Sequence, residues 1–516
     1  MAQGLLDISQ IDRGLKQIAA GIAAGHLPET VAAVIASIER LHGPMQLAVL
    51  GKISSSKSTL VNAILGRDNL MATGQKEVTY NVGWLKYGSP DDDIVIHHKD
   101  GSVPRRCPRR DFERIVTGDY GEGNDNISYI EIHDDAGILR DINIIDTPGL
   151  DAVRGKDSQN TLDFIGQVKP DAVIMLFTHN VADNVLDVIR QFNAGNYFNP
   201  FNAMGVMAKI DVRWQESFPR TKTALEIGRK LAESRLKKDP SLRQSLFNLY
   251  PVSSLLFLAA STVDDSDIAA IVRWRGPDPG LFERTLATVK TFVDGSGNLV
   301  ADYNKRLELI EKMGLYGVWL LNREIDRGTV SCAADARKLF MTESGADDVM
   351  NVIRNHFGSR STLIKLESVY RDLQLALNRD RASGRDSALV SRVAQQFNDL
   401  FTPLFLSHHQ LELLYKVYNG EIAPDPEVAE EIRAVCGENG DAAPRLLGLP
   451  DGTCFADMMA RVDERLNYWR REIALEPDPE EREWMDVVLR SYAALKPRML
   501  EVKYALDTAR SFLFNQ

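Results

Sequence analysis

The fold is decided by residues 47–59, which read LAVLGKISSSKST. The apolar run 47–50 predicts a buried strand, and a loop of small and polar residues follows it from Gly51. The last three residues, Lys-Ser-Thr, open a helical pattern. Phosphates bind at such a turn because backbone N–H groups curl around them and the helix N-terminus adds the positive end of a dipole. The stretch therefore predicts a phosphate-binding loop; the alternative is a polar strand-to-helix turn that binds nothing.

Individual side chains of this loop have predicted roles. Lys57 reaches the β- and γ-phosphates, and the Ser58 hydroxyl binds Mg²⁺. Ser56 departs from the usual pattern, which has glycine there because the backbone takes an unusual, positive φ. A serine in that conformation costs on the order of 1 kcal/mol or more, so we expect weaker binding or slower turnover. The predicted phosphate-binding residues are Gly51, Ser54, Ser55, Ser56, Lys57, Ser58 and Thr59.

A second motif, Asp-Thr-Pro-Gly at 146–149, ends the apolar strand 142–145. An aspartate at this place holds Mg²⁺ through water, and the N–H of the glycine senses the γ-phosphate. By itself the motif is often a simple turn. Its position at a strand end, downstream of a phosphate loop, favours the functional interpretation for Asp146 and Gly149.

Between these two motifs lies the segment 73–79, which reads TGQKEVT. One of its threonines should bind Mg²⁺ through its hydroxyl and hold the attacking water. Thr79 is favoured because it comes just before the predicted strand 82–87, and Thr73 is the alternative. The predicted metal ligands are therefore Ser58, Thr79 and Asp146.

A third motif, Ala-Lys-Ile-Asp at 208–211, follows the predicted strand 203–207. In GTPases the aspartate of such a motif accepts from the guanine N1 and N2 groups, and the lysine stem lies on the base. Asn or Thr usually stands where this chain has alanine, but Lys209 and Asp211 remain and favour guanine over adenine. The alternative is a surface turn. After the apolar run 247–250, the backbone of the pair Ser253 and Ser254 is predicted to face the guanine O6 oxygen.

From about residue 45 to 255, short apolar runs alternate with helical patterns. This alternation predicts a mostly parallel sheet with helices on both faces. We expect an antiparallel pair between strands 127–133 and 141–145, joined by a turn at 134–137. Strands are predicted at 46–50, 82–87, 93–97, 127–133, 141–145, 172–177, 203–207 and 247–252, and helices at 58–65, 158–168, 182–193 and 221–238.

Helical patterns flank this α/β region. Two precede it, at 5–24 and 28–42, and long ones follow from about residue 280, separated by Pro- and Gly-rich breaks. The later helices are typical of a helical bundle or stalk. We predict N-terminal helices in 1–44, a nucleotide-binding domain in 45–265 and a helical bundle in 266–516.

The chain as a whole excludes some functions. Its 516 residues are too many for a single core, and its net charge of −11 argues against nucleic acid as the main partner. No CxxC pair or zinc-ligand spacing occurs among the four cysteines. The chain also shows no signal-peptide pattern and no run of about 18 apolar residues. The sequence therefore predicts a cytoplasmic protein.

These residues resemble the dynamin-like GTPases, in particular the bacterial and actinobacterial ones. The resemblance rests on KSTLVNAILG at 57–66, on Glu-Val-Thr at 77–79 before an extended strand, on DTPGL at 146–150, and on a large GTPase domain between helical segments. It covers the motifs of 45–255. Beyond them it is architectural, with GLYGV at 314–318 similar to the early stalk of these proteins.

The resemblance implies that GTP binding drives dimerisation across the nucleotide faces, or pairing with a paralogous dynamin-like partner, and that hydrolysis remodels membranes. It implies GTP or GDP and Mg²⁺ as cofactors, with a monovalent cation near Ser54, and peripheral contact with the inner face of the cell membrane. Eukaryotic dynamins carry a catalytic glutamine where this chain has Ile53, so we expect slow turnover. The implied catalytic residues are Ser54, Lys57, Thr79 and Gly149.

Other interpretations remain open at this point. A degenerate scaffold that pairs with a more active GTPase would also fit Ile53, Ser56 and Ala208, and a ribosome-linked GTPase is a third hypothesis. Trp469 and Trp484 are read as core residues rather than lipid contacts. The basic cluster 105–110 is either a solvated loop or a site for anionic lipid or a partner.

Overall fold

The structure is a computed structural model that describes residues 8–22, 26–52, 55–68, 70–71, 82–116, 126–149, 168–178, 202–217, 220–275, 279–294, 302–358, 361–401, 404–440 and 442–514. The chain divides into two compact units. One unit is Pro44–Val352, and the other joins Met1–Gly43 to Ile353–Gln516. Each unit is described by itself.

A nine-stranded sheet forms the centre of the unit Pro44–Val352, counted over the described residues. The strands are β1 Met45–Gly51, β2 Val82–Tyr87, β3 Ile94–His98, β4 Arg105–Cys107, β5 Ile127–Asp134, β6 Ile142–Asp146, β7 Ala172–Phe177, β8 Ala203–Ala208 and β9 Leu249–Val252. Their order across the sheet is β4-β3-β5-β2-β6-β1-β7-β8-β9. From β6 to β9 all neighbours are parallel, as are β2 and β5. This confirms the predicted fold class, a mostly parallel sheet with helices.

The central strands β6, β7 and β8 are buried along their whole length. A parallel strand covered on both faces has no polar side to show, so its sequence is apolar throughout rather than alternating. The eight predicted strands each match an observed one. β4 was not predicted, because its two arginines are exposed at the sheet edge and leave no apolar pattern.

The predicted antiparallel pairing of β5 with β6 is wrong. β2 lies between them, parallel to β5 with Leu85 opposite Ile132, and antiparallel to β6 with Leu85 opposite Ile144. The chain from β5 to β6 forms a 3-10 helix at Gly137–Arg140 instead of a hairpin turn. The apolar side chains of β2, including the fully buried Leu85, fill the place beside β6.

The helices of the described residues account for most of the remaining chain. They are α1 Ile8–Gly21, α2 Pro28–His42, α3 Lys57–Leu65, α4 Phe112–Val116, α5 Ile210–Glu216, α6 Ala224–Lys238, α7 Pro240–Ser245, α8 Ser254–Thr262, α9 Asp265–Arg275, α10 Pro279–Thr285, α11 Val289–Asp294, α12 Tyr303–Asp326, α13 Ala333–Glu343, α14 Ala346–Asn351, α15 Ser361–Ala382, α16 Ser387–Phe401, α17 Leu404–Asn419, α18 Pro426–Val435, α19 Ala443–Leu446, α20 Phe455–Leu475 and α21 Pro479–Phe514. A π-helix, Val352–Gly358, follows α14. The predicted helices at 158–168 and 182–193 lie outside the described residues, apart from Val168.

The core of the sheet unit continues into the helices that follow the sheet. Trp214 of α5 is fully buried against Tyr316 and Trp319 of α12, with ring centroids 5.1 and 4.7 Å away. Phe340 of α13 belongs to the same apolar cluster. The compact unit therefore extends to Val352, while the boundary at residue 265 stays a prediction about functional domains.

The second unit is helical and contains two apolar cores. The first joins α1 and α2 to α15 and α16, and Asp380 of α15 caps the start of α2 by accepting from the N–H and the hydroxyl of Thr30 at 2.9 and 2.8 Å. The second core contains Trp469 and Trp484, packed edge to face with centroids 5.7 Å apart. Both tryptophans are thus core residues. Across the described residues, every helix is too short or too polar to cross a membrane.

Candidate nucleotide-binding site

The phosphate loop connects the end of β1 to the start of α3. Gly51 ends the strand, and a Cβ built on it would lie 2.7 Å from Ser55 Oγ and 3.0 Å from Leu176 Cβ, so a larger residue does not fit there. Ser55 is buried, and its hydroxyl has no hydrogen-bond partner within the described ranges. The loop is therefore closely packed on its strand side, with an unsatisfied polar atom inside it.

Ser56 is the residue before α3 and has φ 70° and ψ 32°, the left-handed conformation. This is the positive φ that the missing glycine predicted. The Ser56 side chain makes no hydrogen bond to the first turn of α3, so it does not cap the N–H groups there. Uncapped N–H groups at a helix start are the donors that bind phosphate.

The Lys57 ammonium lies inside the loop. Lys57 is buried, and its Nζ donates to the carbonyl oxygens of Gly51 at 3.1 Å and Lys52 at 2.8 Å. These bonds place the positive charge at the centre of the turn. The predicted phosphate-binding lysine is therefore held where the loop backbone curls.

A buried carboxylate faces the start of α3. Ser58 Oγ donates to Asp146 Oδ2 at 2.7 Å, and the register of β6 with β1 sets Asp146 opposite Val49. Asp146 is fully buried, and among the described residues its Oδ1 has no hydrogen-bond partner. Burial raises the pKa of Asp146 to about 6, against the opposing effects of the Ser58 hydrogen bond and the Lys57 charge. Two hard oxygen donors, one with an unused lone pair, form a set that fits Mg²⁺.

Thr147, the second residue of the motif at 146–149, holds this turn against β1. Thr147 is fully buried and its Oγ1 donates to the Val49 carbonyl at 2.8 Å. This role was missed at the sequence level, although Thr147 stands inside the recognised motif. Gly149 follows in a buried position. Ser54 and Thr79, and with them Ile53 and Thr73, lie outside the described residues.

The predicted base-recognition residues lie at the ends of β8 and β9, which are neighbours in the sheet. Lys209 has φ 61° and precedes α5, and Asp211 lies in the first turn of that helix. Burial raises the pKa of Asp211, while a hydrogen bond from Ser253 and the charge of Lys209 oppose the rise. The structure therefore brings the two predicted parts of the base site together.

Ser253 and Ser254 begin α8. The Ser253 N–H donates to the carbonyl of Ser344 at 2.9 Å, and the Ser253 hydroxyl accepts from Leu256 N–H at 3.3 Å as the N-cap. Because the Ser253 N–H is engaged by Ser344, the predicted contact with guanine O6 is left to Ser254. Ser254 is buried, and its hydroxyl has no hydrogen-bond partner as far as the structure describes the chain.

Comparison with known proteins agrees with these motifs. The model of the Dynamin family matches residues 47–193. The "Isoniazid-induced protein IniC" of Mycobacterium tuberculosis strain H37Rv is 25% identical over 454 residues, which cover 84% of this chain and 86% of that protein. The "Bacterial dynamin-like protein" of Nostoc punctiforme is 28% identical over 134 residues, or 24% of this chain and 19% of that protein.

A solved structure from an oligomerised bacterial dynamin pair aligns with 97% of this chain and 92% of its own at 15% identity, with a TM-score of 0.33. That score does not establish a shared arrangement. The family match lies on the sheet and on the first two motifs, and the similarity to the mycobacterial protein extends over most of the chain. Residues 47–193 thus match the Dynamin family, whose members are GTPases, and the chain as a whole is similar to bacterial dynamin-like proteins.

Proposed function

We propose that this chain binds Mg²⁺·GTP at the carboxyl ends of the strands β1, β6, β8 and β9, and hydrolyses it slowly. One observation carries the proposal. The buried Asp146 has one oxygen bonded to Ser58, and the other has no partner in the part of the chain that the structure describes; the carboxylate lies next to a phosphate loop that holds Lys57 at its centre. A buried carboxylate with an unused oxygen is costly unless a cation uses it.

Hydrolysis of GTP depends mainly on the position and charge of the side chains. Phosphoryl transfer depends mainly on placing the reactants in line and on stabilising the charge of the phosphate oxygens. Bound Mg²⁺ would neutralise part of that charge, with Ser58, Asp146 and Thr79 as its ligands. Lys57 would hold the phosphates, and Gly149 would sense the γ-phosphate through its N–H.

One feature supports slow turnover. Isoleucine at position 53 has no polar group with which to orient water, and the family carries a glutamine there in its eukaryotic members. Ser54 is the residue that would coordinate a monovalent cation to compensate charge. Asp211 and Lys209 support guanine as the base, because a carboxylate accepts from guanine N1–H and N2–H, and adenine offers no such pair of donors.

The same proposal extends to assembly. Membership of the dynamin family supports GTP-driven self-association through the GTPase domains, or pairing with a paralogous dynamin-like partner, and a peripheral role in membrane remodelling at the cytoplasmic face. The net charge of −11 supports a partner other than nucleic acid. Co-sedimentation with anionic liposomes and with ribosomes distinguishes the membrane role from the ribosome-linked alternative. Pelleting with ribosomes alone would overturn the dynamin-like role.

Steady-state GTP turnover tests the enzymatic part. We expect Lys57→Ala to lose turnover and Mg²⁺-dependent binding of a fluorescent guanine nucleotide. Lys237→Ala is the matched control, since Lys237 is an exposed lysine near the end of α6. Equal turnover by the wild type and Lys57→Ala would refute hydrolysis at this site. Binding without turnover in the wild type would favour the scaffold that serves a more active GTPase.

A further inference from the structure

Ser253, at the base-recognition part of the site, is hydrogen-bonded to a turn much later in the chain. The N–H of Ser253 donates to the carbonyl of Ser344 at 2.9 Å, and both residues are buried. Ser344 and Gly345 form the short turn between α13, which ends at Glu343, and α14, which begins at Ala346. The start of α8 is therefore held from outside the nucleotide motifs.

Ser253 passes this constraint to the base-recognition aspartate. Its hydroxyl accepts from Leu256 N–H at 3.3 Å, and Val252, the residue before it, lies opposite Ala208 at the end of the strand that leads to Asp211. A serine hydroxyl has a single hydrogen to donate, and the helix N–H uses only a lone pair, so that hydrogen is available to the neighbouring Asp211 carboxylate, whose pKa Ser253 lowers. The direction of the Asp211 carboxylate thus depends on where the Ser253 backbone lies.

Gly345 sets how closely the turn approaches. It has φ 78°, and a Cβ built on it would lie 2.2 Å from the carbonyl oxygen of Pro251, two residues before Ser253. Any side chain here would push β9 and the turn apart. The turn itself is braced, since Ser344 Oγ donates to the Met341 carbonyl at 2.9 Å and accepts from Ala346 N–H at 3.2 Å.

We propose that Ser344 and Gly345 are positioning residues for guanine recognition: the turn holds Ser253, and Ser253 orients the Asp211 carboxylate toward the base. This inference rests on the proposed function, because it needs Asp211 to read guanine. It predicts that a disturbed turn weakens recognition of the base while the phosphate contacts of Lys57 and Ser58 stay intact.

The test compares dissociation constants for GDP and IDP, since inosine lacks the 2-amino group that Asp211 would bind. The wild type should prefer GDP by about tenfold or more, as a hydrogen bond to a charged group is worth that much. In Gly345→Ala this preference should fall at least about threefold, because GDP loses affinity through two hydrogen bonds to Asp211, and IDP, which keeps only N1–H, loses less. Gly328→Ala is the control, because Gly328 also has a positive φ, 73°, but open space around its Cβ.

Equal GDP preference in Gly345→Ala, Gly328→Ala and the wild type would overturn the inference. Where Gly345→Ala does not fold, Ser253→Ala decides: it should lose the preference and Ser253→Thr should restore it, and an unchanged preference in Ser253→Ala overturns the inference as well. A wild type that binds ADP as tightly as GDP would remove the proposed guanine site, and the inference with it. That outcome is distinct from a failure of the turn alone.

Discussion

Replacing Asp146 by asparagine should stabilise the nucleotide-free protein and abolish its response to Mg²⁺. In the structure the pKa of Asp146 is raised from 3.8 to about 6 by burial. Each tenfold change in an equilibrium constant is worth about 1.4 kcal/mol, so keeping this carboxylate ionised at neutral pH costs about 3 kcal/mol of folding free energy. The asparagine amide brings an N–H of its own into the buried site, which leaves a net gain of about 1–2 kcal/mol.

The raised pKa of Asp146 determines how the folding stability changes with pH. An acid whose pKa is higher in the folded state binds its proton more tightly there, so it favours folding below pH 3.8, and this contribution is lost as the pH rises to about 6. Between pH 8 and pH 5 the nucleotide-free wild type should therefore gain about 1 kcal/mol relative to Asp146→Asn. The stability advantage of the variant should be largest at pH 8 and shrink at pH 5.

Thermal unfolding without nucleotide, followed by tryptophan fluorescence at pH 8 and pH 5, measures this difference. A gain of 1–2 kcal/mol corresponds to a rise of about 2–6 °C in Tm for a unit of this size. Mg²⁺·GDP at a hundred times its Kd should then stabilise the wild type by about 2.7 kcal/mol and leave the variant unchanged. A variant that melts below the wild type at pH 8 would refute the reasoning.

Asp134→Asn serves as the control, because Asp134 is also a buried aspartate of the same unit but has a cationic partner, with Arg67 Nε at 3.1 Å. Removing its charge leaves the Arg67 guanidinium with only the exposed Asp135 as an anionic partner, so this variant should lose stability at both pH values. A gain of stability in Asp134→Asn would show that any buried aspartate behaves alike, and the argument from the unused Asp146 oxygen would fail.

Three further predictions follow from single contacts. Ser56→Gly should leave the Kd for GDP within about twofold by fluorescence titration, because the start of α3 directly after Ser56 already holds the positive φ; a tenfold gain in affinity would contradict this. The GDP preference over IDP should fall on acidification at a higher pH than an ordinary aspartate would give, because burial raises the pKa of Asp211, and Asp211→Asn should show no such titration. Asp380→Ala should destabilise the helical unit by about 1–3 kcal/mol in urea unfolding, because Thr30 at the start of α2 loses a buried acceptor, and an unchanged midpoint would contradict the capping role.

The sequence predicted the strands well because each strand rests on a local pattern. An apolar run such as 172–177 needs no partner to be recognised as a buried strand. Pairing order depends on distant segments, so the place of β2 between β5 and β6 was missed. The same limit applies to the site: the contact of Ser253 with Ser344 joins residues whose local sequence carries no shared signal. A glycine such as Gly345, just before a helix, does not predict this contact, because glycine is common at ordinary helix ends.

Ser56 shows what the structure changes in the functional argument. From the sequence, serine in place of glycine predicts weaker binding, since the strained backbone would have to form around the phosphates. In the structure Ser56 has the left-handed conformation, and α3 starts directly after it, with Leu60 N–H donating to the Ser56 carbonyl at 2.9 Å. Because the start of α3 holds this conformation, its strain belongs to the stability of the fold. The serine therefore counts as a cost of folding, and the case for slow turnover rests on Ile53 rather than on the loop conformation.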